Sequence, residues 1–169
     1  MKKIILKLIF VSLIFSSCAV FQNKNTPEKL KKEALEFSLE FVENVFAQDC
    51  EKVFLKFNDK ILSLEDDKIF EKIIFKEEIC AALKSANRNT KKTFSNYLAD
   101  YKTEILTLSE FQKKFDFDLP KLYTPLENDY FFVGAELKSP FQNSYINDDL
   151  FLFLVRKENK KWSIIGAGG

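Results

Sequence analysis

The chain contains 169 residues, with 26 Lys+Arg, 25 Asp+Glu and no histidine. This near balance of charge removes the electrostatic case for nucleic-acid binding. Without histidine, any general base has to be Asp, Glu, Lys, Tyr or Cys. The sequence also lacks metal-ligand spacing and a phosphate-binding loop, so we predict no metal and no cofactor.

The first 17 residues have the pattern of a secretory signal. Two lysines precede an apolar run over residues 4–15, and two serines then lead into Cys18. A helix that spans a membrane needs about 20 apolar residues with few charges, whereas this run is shorter and contains Lys7. We therefore predict a cleaved signal peptide at residues 1–17, with a permanent membrane span as the alternative.

The end of this segment, Phe15-Ser16-Ser17-Cys18, resembles the lipobox of bacterial lipoproteins, in which the cysteine is acylated and becomes the first residue. The family usually has Leu at the Phe15 position and Ala or Gly at the Ser17 position. The resemblance implies that lipid on Cys18 attaches the chain to a membrane, since two or more acyl chains anchor a protein stably. It implies a location in the bacterial cell envelope, at the outer membrane or cell surface, facing the periplasm or the exterior. The alternative is an ordinary signal followed by an unmodified cysteine.

Cleavage before Cys18 leaves 152 of the 169 residues and, with three lysines removed, 23 Lys+Arg against 25 Asp+Glu, a net charge of −2. This length suits one domain, which we place at residues 27–169 after a tether at residues 18–26. With lipid on Cys18, Cys50 and Cys80 remain as a pair in a compartment that permits disulfides. They form either a disulfide or two buried thiols.

Helices are predicted in the first half of the domain. Thr26-Pro27 is typical of an N-cap followed by proline at the first helical position, and apolar residues at helical spacing extend from there to about residue 47. Asp49 is predicted to be the N-cap of a second, shorter helix. Short strands are predicted around a solvated acidic turn at residues 65–67, followed by a helix at residues 76–86.

The second half of the domain is dominated by strand patterns. Alternating side chains predict a strand over residues 101–108, and Ser109 with Gln112 forms a capping-box pattern for a short helix ending near Phe115. Residues 116–129 contain two prolines and no clear period, which predicts a long loop of the kind that often acts as a lid or binding segment. Further strands are predicted at residues 130–137, 150–155 and 162–165, and the terminal Gly-Ala-Gly-Gly is predicted to be a frayed end.

The strand at residues 130–137 has two different faces. Tyr130, Phe132 and Glu136 share one face, and the other consists of Phe131, Val133, Ala135 and Leu137. Because the second face is wholly apolar, we expect it to be the concave, core-packed one. Glu136 then lies outside beside Tyr130 and Phe132, and the alternative is a carboxylate that enters a pocket. These three residues and Trp162 are the candidates for a pocket or an interface, and no catalytic residue is assigned.

The order of these elements is similar to that of the nuclear transport factor 2-like family, to which ketosteroid isomerases and polyketide cyclases belong. The stretches that carry the resemblance are "FAQDCEKVFLKFNDKIL", "KEEICAALKSA" and the terminal hairpin "DDLFLFLVRKENKKWSIIG", in which a Lys-Trp pair opens the last strand. The resemblance covers residues 27–166 and implies an α+β fold with N-terminal helices packed on a curved antiparallel sheet. This arrangement is a cystatin-like cone with a pocket between helix and sheet. It leaves the function open, since the family contains enzymes, dimerisation modules and binders.

We expect a non-catalytic ligand-binding or scaffolding domain held at a membrane, because the sequence has no recognisable catalytic set. Purely apolar walls in the cone would indicate either a small apolar, lipid-like ligand or a plain packed core. One alternative is an isomerase- or cyclase-like enzyme that uses a carboxylate and a tyrosine in the cone. Another is a homodimer or larger homo-oligomer built on the outer sheet face, unless the loop at residues 116–129 covers that face.

Overall fold

The computed structural model describes residues 26–85, 93–116, 118–136 and 150–168. Its helices are α1 (Pro27–Phe46), α2 (Cys50–Lys56), α3 (Lys72–Ser85), α4 (Phe94–Leu98) and α5 (Leu108–Lys114). Its strands are β1 (Phe57–Ser63), β2 (Ile69–Glu71), β3 (Tyr101–Thr107), β4 (Asp129–Glu136), β5 (Leu150–Glu158) and β6 (Lys161–Gly168). The predicted signal and most of the tether lie outside the described residues. No helix within the described ranges has the length and apolar character needed to cross a membrane.

The strands form one open sheet in the order β2-β1-β6-β5-β4-β3, and α1 packs on one of its faces, so the fold is α+β. Neighbouring strands are antiparallel except for β1 and β6, which are parallel. The prediction of a purely antiparallel sheet is therefore wrong at this pair. A hairpin turn forces antiparallel pairing, whereas about 100 residues separate β1 from β6 and leave either direction open.

The first two helices begin where local capping rules place them. Thr26 Oγ1 accepts a hydrogen bond from the Lys29 amide at 3.3 Å, and Asp49 Oδ1 accepts one from the Lys52 amide at 3.2 Å. Both predicted caps are confirmed. The third helix begins at Lys72, four residues before its predicted start.

The capping box of α5 differs from the predicted one. Thr107 Oγ1 accepts a hydrogen bond from the Glu110 amide at 3.3 Å, and Glu110 Oε2 accepts one from the Thr107 amide at 2.8 Å. The predicted pair, Ser109 with Gln112, has the same spacing but lies inside the helix. The prediction was wrong because the preceding strand ends one residue earlier than its alternation indicated.

Both faces of the sheet are buried at β4 and β5. The helix-facing side, which packs against α1, includes Tyr130, Phe132 and Phe153. The outer side, which packs against α5 and the loop after it, includes Phe131 and Val133. The expected assignment of the two faces is therefore wrong: Tyr130 and Phe132 pack against the long helix. When both faces of a strand are covered, an apolar pattern does not distinguish them.

Residues 166–168 form the end of β6 and are not frayed, which corrects the prediction for these three residues, and Gly169 lies outside the described residues. Ala167 pairs with Ser63 of β1 and with Phe153 of β5, and Gly168 pairs with Leu152. Gly166 allows close packing, because a Cβ at that position would lie 3.2 Å from the backbone oxygen of Leu62. The last strand is thus held on both sides.

A disulfide joins Cys50, the first residue of α2, to Cys80 in the middle of α3. The two Cα atoms are 5.3 Å apart, within the usual range for this bond. Of the two outcomes left open by the sequence, the structure has the disulfide. It connects the two helices that flank β1 and β2 in the chain.

Candidate functional site

Tyr130, Phe132 and Trp162 belong to the helix-facing core. Tyr130 and Phe132 are buried, and Trp162 is half-buried beside them. The centroid of the Trp162 indole lies 5.9 Å from that of the Tyr130 ring and 6.4 Å from that of Phe37 in α1. The structure therefore brings Tyr130 and Trp162 together as packing residues.

Glu136, the fourth candidate, is the last residue of β4. Its backbone pairs with Tyr101 at the edge strand β3. Its side chain lies outside the described part of the structure, so the prediction about its direction is not tested.

Aromatic side chains fill the space between α1 and the sheet. Phe41 makes edge contacts with Phe57 and Phe153, at centroid distances of 5.5 and 5.1 Å. Phe153 in turn stacks on Phe132 at 4.6 Å. Aromatic pairs of this kind stabilise a core beyond the contribution of their buried area. The described part of this interior is therefore packed core.

A concave site lies on the opposite side of the sheet, and we call it the outer cleft. Its volume is about 250 Å³. Its lining residues come from four adjacent strands and from the loop before β4: Asn58, Lys60, Leu62, Ile69, Leu122, Tyr123, Thr124, Arg156 and Ile165. The strands form the floor, and residues 122–124 form the wall.

A buried carboxylate holds this wall in place. The Asp129 side chain is 0% exposed and accepts hydrogen bonds from Arg156 Nε at 2.6 Å and Arg156 Nη2 at 2.7 Å. The Tyr123 hydroxyl donates to the same carboxylate at 2.8 Å, and the Leu126 amide donates at 2.9 Å. Arg156 Nη2 also donates to the Thr124 carbonyl at 2.8 Å. We call this arrangement the Asp129 clasp.

The groups of the Asp129 clasp have a structural role. Burial and the hydrogen bond to Asp129 raise the pKa of Tyr123 far above its ordinary value of 10.0, so the phenol stays neutral. The same carboxylate raises the pKa of Arg156. The two oxygens of Asp129 accept four hydrogen bonds from the chain itself, which occupies the acceptor positions of the carboxylate.

A second contact fixes the wall from the other side. The Leu122 amide donates a hydrogen bond to Asp67 Oδ1 at 3.0 Å. Asp67 lies in the acidic turn between β1 and β2 and has a positive φ of 52°. The turn that the sequence predicted to be merely solvated thus also anchors the loop. The cleft wall is held at two points.

The lining of the outer cleft combines cationic and apolar groups. Lys60 is exposed, and its ammonium makes no ion pair with a described residue. Ile69 and Leu122 are 51% and 53% exposed, which is unusual for large apolar side chains. The arrangement can bind a molecule that has both an apolar and an anionic part.

A second depression of about 400 Å³ lies where α1 begins, beside the β5–β6 turn. Its lining includes Leu30, Glu127 and Lys157. Lys157 is already paired with Glu33, and this hydrogen bond lowers the pKa of the Glu33 carboxyl. The lining contains charges of both signs and little apolar surface. This depression therefore resembles a ligand site less than the outer cleft does.

The residues of the outer cleft were not predicted from the sequence. Arg156 offered the clearest signal, since it is one of only two arginines in a chain rich in lysine. Its partner Asp129 is 27 residues away, and the β4–β5 register brings the two directly opposite each other. No local pattern encodes that register.

Comparison with known proteins found no matching family model, no similar curated protein and no similar solved structure.

Proposed function

We propose that this chain is a lipid-anchored binding domain of the bacterial cell envelope, tethered through Cys18, with the outer cleft as its ligand site. One observation carries the binding part: the cleft wall is held at two separate points by the chain's own hydrogen bonds. Ligand sites are usually concave and largely formed before the ligand arrives. A wall that needs no ligand to hold it matches that description.

The anchor is supported by the lipobox-like sequence, and a short tether joins that sequence to the first helix. The lipobox-like stretch ends at Cys18, and Thr26, the N-cap of α1, follows eight residues later. A fully extended segment of that length reaches at most about 29 Å, which would keep the domain close to the membrane. The Cys50–Cys80 disulfide agrees with an oxidising compartment such as the envelope.

The packing supports binding over catalysis. An enzyme of the isomerase type needs an available carboxylate near a tyrosine. Asp129 and Tyr123 form such a pair among the described residues, but Arg156 and the loop occupy that carboxylate. The pair also lies on the sheet face away from α1.

The cover on the outer face supports a single copy over a dimer built on that face. Phe111 of α5 stacks on Phe131 at a centroid distance of 4.2 Å. Phe115, Leu119 and Tyr123 of the following segment pack against the same layer. The chain itself therefore occupies much of the surface that an outer-face dimer would use.

Replacement of Cys18 by Ala tests the anchor. We expect the wild-type chain, expressed in a bacterium that processes lipoproteins, to sediment with membranes and to carry acyl mass on Cys18. The Cys18→Ala chain should lack that mass. Ser17→Ala brings the sequence closer to the usual lipobox, so this control should be processed at least as completely as the wild type.

Two results would contradict the anchor. A wild-type chain that is uncleaved and free of acyl mass, yet retained in membranes, would show that the segment is a span. A chain that is cleaved but carries no acyl mass would show an ordinary signal. Intact-protein mass spectrometry distinguishes the acylated chain, the uncleaved membrane-spanning chain and the chain cleaved at an ordinary signal.

A further inference from the structure

We propose that the outer cleft binds a small organic anion, a carboxylate on a short apolar chain, and that Lys60 contacts the carboxylate. This inference deepens the proposed binding function and rests on it. The charge of the lining is one-sided: its charged residues, Lys60 and Arg156, are both cations, and none of its described residues is acidic. A cation of this lining that is not already paired can attract an anion.

The two cations are not equivalent. Arg156 donates two hydrogen bonds to Asp129, so its charge is already compensated. Lys60 has no such partner among the described residues. Glu71 lies opposite Lys60 in the β1–β2 register, yet the two form no ion pair. An uncompensated ammonium at the edge of a cleft is the group that can form a charge-assisted hydrogen bond with a ligand.

The size and the apolar part of the cleft define the rest of the ligand. Leu62 and Ile165 lie in the floor, and the half-exposed Ile69 and Leu122 flank it. Burying such side chains against an apolar chain is favourable. A volume of about 250 Å³ is below the range for drug-sized ligands. Hexanoate is therefore a suitable probe, and hexanamide is its neutral counterpart.

Isoleucine methyl NMR on the full, acylated chain in lipid nanodiscs tests the site. We expect hexanoate to cause saturable shifts of the Ile69 and Ile165 δ1-methyl signals. The signal of Ile164, which is buried in the helix-facing core, should stay unchanged. Lys60→Gln should raise the Kd for hexanoate about tenfold, because one charge-assisted hydrogen bond is lost.

Matched variants separate a specific contact from general electrostatics. Lys113→Gln removes an exposed charge on α5, outside the cleft, and should leave the Kd unchanged. Glu71→Gln removes the nearest opposing carboxylate in the register and should lower the Kd. The Kd for hexanamide should be the same in the wild type and in Lys60→Gln.

Three results would overturn the inference: shifts that do not saturate, equal Kd values for hexanoate in the wild type and Lys60→Gln, or hexanamide binding as tight as hexanoate. Failure of the anchor is a different result, seen as missing acyl mass on Cys18 before the titration begins. The same titration is then run on that chain in buffer. The two failures are therefore distinguishable.

Discussion

Loss of the Cys50–Cys80 disulfide should lower the free energy of unfolding by several kcal/mol. The bond spans 30 residues of sequence, and the chain-entropy relation for a loop of that length gives about 3.7 kcal/mol. In a protein of this size, each kcal/mol shifts the melting temperature by about 2–4 °C. We therefore expect reduction to lower the Tm by roughly 10 °C.

Other contacts should hold α2, and the turn that precedes it, against α3 after reduction. The Gln48 side chain donates to the Leu83 carbonyl at 2.8 Å, and Lys76 pairs with Glu51 at 3.1 Å. Most of the effect then comes from the unfolded state, which gains freedom when the bond is cut. The far-ultraviolet circular dichroism of the folded protein should stay nearly the same.

The assay is thermal denaturation followed by circular dichroism, with and without reductant. The control is the double variant Cys50→Ser/Cys80→Ser, which should melt near the reduced wild type and should not respond to reductant. Alkylation and mass measurement report whether the bond was present and whether it was cut. A Tm that stays constant while the mass shows complete reduction would refute the entropic reasoning. Equal masses after alkylation with and without prior reduction would show that the bond never formed.

Three further predictions concern the rest of the fold. Asp129→Asn leaves the partly buried Arg156 without its counter-charge, so chemical denaturation should show a loss of about 3 kcal/mol, and a loss below 1 kcal/mol would contradict the clasp. Gly166→Ala should cost about 1–2 kcal/mol in the same assay, since its Cβ would crowd the β1 backbone; a neutral result would favour the frayed end. Lys31 and the Thr107 amide lower the pKa of Glu110 below its usual 4.5, so its contribution is present above that pH and is lost as the pH falls through the lowered value. Because the ion pair is partly exposed, Glu110→Gln should lose only about 0.5–1 kcal/mol at pH 7. The difference from the wild type should shrink as the pH falls below 4.5, and a difference that stays constant would contradict this sign.

The outer cleft shows why some sites cannot be predicted from the sequence. Lys60 and Arg156 lie almost 100 positions apart and line the same cleft because β1, β6 and β5 are adjacent in the sheet. The Asp129 clasp likewise depends on the β4–β5 register. The length and pairing of strands that are distant in sequence determine these contacts, and no periodic pattern reports them.

Local sequence patterns were enough to predict the features that depend on a few neighbouring residues. The caps at Thr26 and Asp49, the long amphipathic helix and the loop after α5 were all predictable, since capping and helical periodicity act within one or two turns. The sequence also limited Cys50 and Cys80 to two alternatives, a disulfide or two buried thiols.

Contacts between distant parts of the chain determine which face of β4 meets α1, in which direction β1 runs beside β6, and that residues 166–168 form a strand. Each of these depends on what covers a strand from elsewhere in the chain. An apolar pattern on both faces requires cover on both sides, but it does not specify which element provides it.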